Sequence, residues 1–122
     1  MSVAKYDIKI PKIDYQLINF GIRDTKTKEL IKLNDDDLIF MTVRHSPDDE
    51  NFKFQKSLQN GITYDEETRK YIIEITSEDT KNLILNENYG YDITVYYNRN
   101  KPKQKVVGTF VVTDKYTLNE VI

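Results

Sequence analysis

The clearest rhythm of apolar and polar positions runs from Asn86 to Tyr97, Asn-Glu-Asn-Tyr-Gly-Tyr-Asp-Ile-Thr-Val-Tyr-Tyr. After turn-forming residues, Tyr89, Tyr91, Ile93, Val95 and Tyr97 face one way, and Gly90, Asp92, Thr94 and Tyr96 face the other. A period of two built from β-branched and aromatic residues predicts a strand with one buried face. Tyr89, Tyr91, Ile93 and Val95 are therefore the residues around which the fold is expected to organise. In a β-sandwich, a tyrosine near the start of such a strand can tie its hydroxyl back to a nearby backbone group.

The same alternation recurs along the chain. Tyr6, Ile8 and Ile10 alternate with lysines before Pro11, which predicts an extended N-terminal segment, residues 1–14, serving as an edge strand or a free arm. Tyr15 to Ile22 reads as a strand with Tyr15, Leu17, Phe20 and Ile22 inward, and Leu30 to Leu33 as its short return after a polar turn. Leu38 to His45 carries apolar residues on both faces, with Ile39, Met41 and Val43 inward and Phe40 partly outward. Phe52 to Leu58 places Phe52, Phe54 and Leu58 inward, and Asn60-Gly61 supplies a tight turn. Lys70 to Thr76 turns Tyr71, Ile73 and Ile75 inward, and Ser77 to Leu83 reads as a capped helical turn. A basic hairpin loop from Asn98 to Lys105 precedes a last strand from Val106 to Thr113, and Tyr116 to Ile122 is a tail.

These segments number about seven to nine short strands, the spacing of an all-β antiparallel β-sandwich. Residues 15–117 form the expected sandwich domain and 118–122 the C-terminal tail. With 122 residues the chain is long enough for one real core. An apolar share of 39% against a charged share of 31% suits sheets with one face in water.

Composition removes several chemistries. There are no cysteines, which excludes disulfides, thiol catalysis and cysteine-bound zinc. A net charge of −2 gives no general attraction to nucleic acid or anionic lipid, so neither is an expected partner. No secretion signal is visible, and no window approaches the roughly 18 apolar residues of a membrane span. A soluble product made in the cytoplasm is expected.

The candidate sites are few. His45 is the single histidine, and Ser46, Ser57 and Ser77 lack the Gly-x-Ser-x-Gly setting of a hydrolytic nucleophile. Asp35, Asp36 and Asp37 form one acidic cluster and Asp48, Asp49 and Glu50 another, without the ligand spacing of an EF-hand loop. Solvated turns explain both, with calcium the sharper alternative. Arg99, Lys101, Lys103 and Lys105 read as a charged tip that guards an edge, or as a polyanion contact with Tyr96 or Tyr97 beside it. Nine tyrosines suggest a carbohydrate platform, but Tyr71, Tyr89 and Tyr91 occupy inward positions. No metal, cofactor or catalytic residue is expected, and the chain reads as a non-enzyme.

Five stretches resemble small structural modules of phages and prophages with an immunoglobulin-like β-sandwich, similar to the N-terminal domains of phage baseplate upper proteins. They are Asp37-Leu-Ile-Phe-Met-Thr-Val-Arg44, Lys56-Ser-Leu through Asn60-Gly-Ile62, Tyr71-Ile-Ile-Glu-Ile-Thr76 with Ser77-Glu-Asp-Thr80, Tyr89-Gly-Tyr-Asp-Ile93, and Val107-Gly-Thr-Phe-Val-Val-Thr113. The likeness spans about Asp35 to Thr113 and is one of strand rhythm; before Asp35 there is no counterpart, and no receptor-binding or coiled-coil continuation follows. It implies a virion component of a bacterial host that acts through contacts with other virion proteins or with itself. Tyr6, Ile8, Ile10, Phe40, Val121 and Ile122 are the expected contacts, so deleting residues 1–12 should weaken assembly and spare the fold. The alternative is a ligand-binding module for a cell-surface glycan or a calcium-dependent partner, using the loops at Asp35–Asp37 and Asp48–Glu50.

Overall fold

A computed structural model describes residues 3–12, 15–24, 26–46 and 48–114. The chain is all-β, with strands β1 (Ala4–Lys5), β2 (Ile8–Pro11), β3 (Gln16–Phe20), β4 (Leu38–Arg44), β5 (Phe52–Leu58) and β6 (Gly61–Asp65). After β7 (Lys70–Ile75) comes the one-turn helix α1 (Ser77–Thr80), then β8 (Tyr89–Tyr97) and β9 (Lys101–Thr113). They form one curled, mixed sheet in the order β1-β9-β8-β4-β5-β6-β7-β3, with β2 also on β9. Expected as antiparallel, the sheet contains three parallel pairings, β1 with β9, β2 with β9, and β5 with β6.

Alternation explains the core. Ile39, Met41 and Val43 on β4, Tyr71, Ile73 and Ile75 on β7, and Tyr89, Tyr91, Ile93 and Val95 on β8 are all buried in one cluster. Phe54 and Phe110 meet edge to face within it, ring centroids 5.5 Å apart. A sheet with one apolar face hides it from water only by packing it against something, and here the sheet curls so that both halves feed the same core.

The link between the halves is the kink from β5 to β6. Gln59 and Gly61 adopt positive φ (67° and 99°), and Ser57 and Leu58 then pair in parallel with Gly61 and Ile62. The Asn60-Gly61 turn therefore hands the chain from one half of the sheet to the other and does not close a hairpin. Gly61 is required twice over, since a Cβ there would also lie 2.4 Å from the Lys56 stem. Lys56 extends across that glycine to Asp79, Nζ to Oδ2 2.6 Å, with both side chains largely buried. Asp79 also accepts the Thr76 backbone N–H at 2.8 Å, closing a capping box in which Thr76, one residue before the expected cap, is the N-cap.

Three tyrosine hydroxyls tie loops to strands. Tyr89 accepts the backbone N–H of Ile84 at 2.9 Å, the expected tie at the start of the organising strand. Tyr71 accepts the N–H of Leu33 at 2.8 Å, and Tyr91 donates to the carbonyl of Tyr6 at 2.5 Å.

Four local expectations are corrected. On β3 the inward residues are Ile18 and Phe20, with Ile22 buried just beyond, whereas Tyr15 and Leu17 are 60% and 51% exposed. The pairing of Ile18 with Ile73 and Phe20 with Tyr71 sets this parity, and Tyr15 turns outward to bond Glu74. Phe52 is 48% exposed because a bulge between Val43 and Arg44 pairs it with Arg44 and rotates it off the inner face. Leu30 to Leu33 is not a strand; a single bridge joins Arg23 to Leu30. The basic loop is shorter than expected, since β9 already starts at Lys101, and Asn98 and Arg99 make the turn with φ of 53° and 69°.

The N-terminal segment lies along the last strand. Ile8 and Ile10 are buried, pairing with Phe110 and Val112, and Gly108 lets the backbone of Tyr6 approach so closely that a Cβ would fall 1.9 Å from its carbonyl oxygen. Deleting residues 1–12 therefore opens the core, contrary to the expectation of an unaffected fold. Ile10→Ala should cost about 2–5 kcal/mol, read by chemical denaturation. Gly108→Ala should displace the N-terminal strand and destabilise the chain as well. An unchanged midpoint for either variant would show that the segment is not part of the core.

The Lys56 bridge gives a second test. Lys56→Ala leaves the Asp79 carboxylate buried without its cation and should lower stability by about 3 kcal/mol. In the Lys56→Met, Asp79→Asn double variant the loss should be smaller than in Lys56→Ala, because neither charge is then stranded.

Candidate functional site: the outer face of the central strands

The side of β4 and β8 away from the core carries the residues of the opposite parity, and β5 and β9 extend it on either flank. Strand register brings Phe40 opposite Thr94, Thr42 opposite Asp92, and Arg44 opposite Gly90. The result is a row of cross-strand pairs at the middle of the sheet, where the backbone is held from both sides.

Its centre is polar and internally bonded. Arg44 Nη1 lies 3.5 Å from Asp92 Oδ1, and Thr94 Oγ1 donates to the other oxygen of the same carboxylate. Gln55 Nε2 donates to Thr42 Oγ1 at 2.9 Å, and Thr42 is itself buried. A partly exposed ion pair adds little stability, so its value is to position the Arg44 side chain beside Asp92. Gly90 leaves open space opposite Arg44, since a Cβ there would meet no atom within 4 Å.

The rim is apolar at one end. Phe40 stands edge-on to Tyr96, centroids 5.8 Å apart, and both are half-buried. Two shallow grooves meet at the Arg44–Asp92 pair. One, about 250 Å³, runs past Gly90 toward Gln104 and Val107, and the other, about 330 Å³, runs past Phe40 and Tyr96 toward Arg99. Such a broad face of aromatic and arginine side chains suits a protein surface better than a small enclosed ligand.

The other candidate residues fall elsewhere. Phe40 is on this face. Tyr6 is 59% exposed beside β9, whereas Ile8 and Ile10 are enclosed by the chain's own core and present almost no surface to a partner. Val121 and Ile122 lie outside the described residues. His45 Nε2 is 2.7 Å from Glu87 Oε2, and its ring stands edge-on to Tyr89, so the histidine straps the end of β4 to the approach to β8.

Asp37 is 5% exposed and works as a turn residue, accepting the N–H of Asn34 at 2.9 Å and of Asn98 at 3.0 Å. Among the described residues no group of three or more His, Asp and Glu side chains converges on a common point. Lys105 Nζ sits 5.3 Å above the Tyr97 ring, while Lys101 and Lys103 are exposed on β9.

Sequence reasoning placed Phe40 partly outward, as it stands, and missed the polar network beside it. The signal was present, since Thr42, Arg44, Asp92 and Thr94 share the outward parity. Which strands lie side by side is not written in either segment alone. No protein-family profile and no curated protein matches the chain. No helix among the described residues is long and apolar enough to cross a membrane.

Behind this face, burial pushes the Tyr91 and Tyr71 hydroxyls above the ordinary phenol value of 10.0; for Tyr71 the N–H of Leu33 partly opposes the rise. The folded chain thus keeps these protons after the unfolded chain has lost them. Their contribution to stability is complete below pH 10 and is lost as pH rises from there through the folded-state values. Thermal melts should fall above about pH 10, and Tyr91→Phe should flatten that decline. A decline equally steep in the variant would assign the alkaline sensitivity to other groups.

Proposed function

We propose that the chain is a non-enzymatic structural module of a phage or prophage particle, of the baseplate type. It acts through contacts with neighbouring subunits, either other virion proteins or further copies of itself. The observation that carries the contact reading is the outer face of β4 and β8. It is broad and paired on both sides, with the half-buried Phe40–Tyr96 pair beside an arginine already engaged by Asp92. Aromatic residues and arginine are the types that contribute most when a protein surface is covered.

The phage part of the proposal rests on the strand-by-strand resemblance between Asp35 and Thr113. The strand order supports its immunoglobulin-like component. β9, β8, β4 and β5 follow one another as the G, F, C and C′ strands of such domains do, and β3, β7 and β6 follow as B, E and D. The Tyr89 tie to Ile84, at the start of the strand in the F position, supports it further.

Absolute mass by size-exclusion chromatography with light scattering, over a wide concentration range, tests the reading. A discrete closed oligomer is expected, and Phe40→Asp should shift it toward the 14.4 kDa monomer without lowering the melting temperature. An assembly whose mass Phe40→Asp leaves unchanged overturns the reading, and a chain monomeric at every concentration removes self-association and leaves only contact with other virion proteins.

A further inference from the structure

The curled sheet leaves β3 with a neighbour on one side only: among the described residues it pairs with β7 and nothing else. Its sequence, Gln16-Leu-Ile-Asn-Phe20, makes it the one strand among the described residues with neither a charged residue nor a proline. The other open edges are guarded. β2 carries Lys9 and Pro11, the free start of β9 carries Lys101, Pro102, Lys103 and Lys105, and β5 carries Lys53 and Lys56. Lysine and proline are the usual means by which an edge is kept from pairing with another chain, and β3 lacks both.

The surroundings keep that edge reachable. A groove of about 340 Å³ separates β3 from β2, lined by Tyr6 to Ile10 on one side and Gln16 to Asn19 on the other. Tyr6 and Leu17, two of the exposed large apolar side chains, line this seam.

We propose that β3 pairs antiparallel with β3 of a second copy of this chain, across a two-fold axis at Ile18, joining two curled sheets into one. Residues equally distant from Ile18 then meet: Leu17 against Asn19, Gln16 against Phe20, and Tyr15 against Gly21. Each pair shares parity, so outward donors meet outward acceptors along the whole strand. Ile18 lies beside its own counterpart on the inner side. The strand is uncharged, so two copies approach without the repulsion that lysines would impose at the other edges. This contact deepens the assembly reading, on which it rests for its purpose, and it uses residues distinct from the Phe40 face.

Because the chain has no cysteine, Ile18→Cys provides a clean probe. Mild oxidation should give a covalent dimer, whereas Phe52→Cys, on an exposed position of β5, should not. In the Leu17→Lys, Asn19→Lys double variant, lysines from the two copies face each other. Light scattering should then show dimerisation weakened about tenfold or more, with the melting temperature unchanged because both positions are exposed. Failure of Ile18→Cys to cross-link, or a dimer indifferent to the two lysines, overturns the pairing. If Phe40→Asp dissolves an oligomer that the lysines leave intact, the edge proposal fails and the assembly reading stands. If the lysines alone dissolve it, the edge pairing stands and the Phe40 face is not the contact between copies.

Discussion

A nine-stranded sheet whose inner face is a near-continuous field of isoleucine, valine and aromatic side chains cannot stay flat in water. Burial of that face is the constraint from which the remaining features follow. With no long helix among the described residues to cover it, the chain covers the sheet with itself. The β5–β6 kink is the place where this is accomplished, and its parts are specific. The positive φ of Gln59 and Gly61 steps the chain sideways, a short parallel pairing satisfies the backbone through the bend, and the Lys56 stem fills the space above Gly61 on its way to Asp79. The bend is thereby fixed to the helical turn that begins the crossing to β8.

Curling also decides which surfaces are left for other work. The inner face and the tyrosine ties are consumed by the fold. What remains is the outer face of the central strands, held rigid by pairing on both sides, and the seam where the two ends of the sheet approach without bonding. These surfaces differ in chemistry. The face presents side chains, aromatic and ionic, and its selectivity would come from shape and charge. The seam presents backbone, and its selectivity would come from register.

Long alternation made β4, β7 and β8 legible from sequence, down to the inward residues. Where both parities are apolar the rhythm loses its meaning. Leu17 and Ile18 serve equally well as inward residues of an isolated strand, and the pairing with β7 decides between them. Phe52 fails for a different reason, because the register shift that turns it outward shows only when β5 is laid against Val43 and Arg44 of its partner strand. The lysines and proline of residues 101–105 look like a loop, yet they occupy a strand whose outer side is open, where proline removes no needed hydrogen bond. Least legible of all was the N-terminal segment. Its alternation was plain, but a parallel pairing with residues about a hundred positions away leaves no local trace.

That last pairing has a kinetic meaning. Ala4 lies beside Val106 and Tyr91 bonds Tyr6, so part of the core belongs to contacts that span nearly the whole described chain. Contacts of this length are slow to form, because the entropy of closing the loop is lost before the contact rewards it. During synthesis β2 must wait, with Ile8 and Ile10 uncovered, until β9 has emerged. The lysines at positions 5, 9 and 12 then have a role before the fold exists, keeping a sticky strand in solution until its partner β9 arrives.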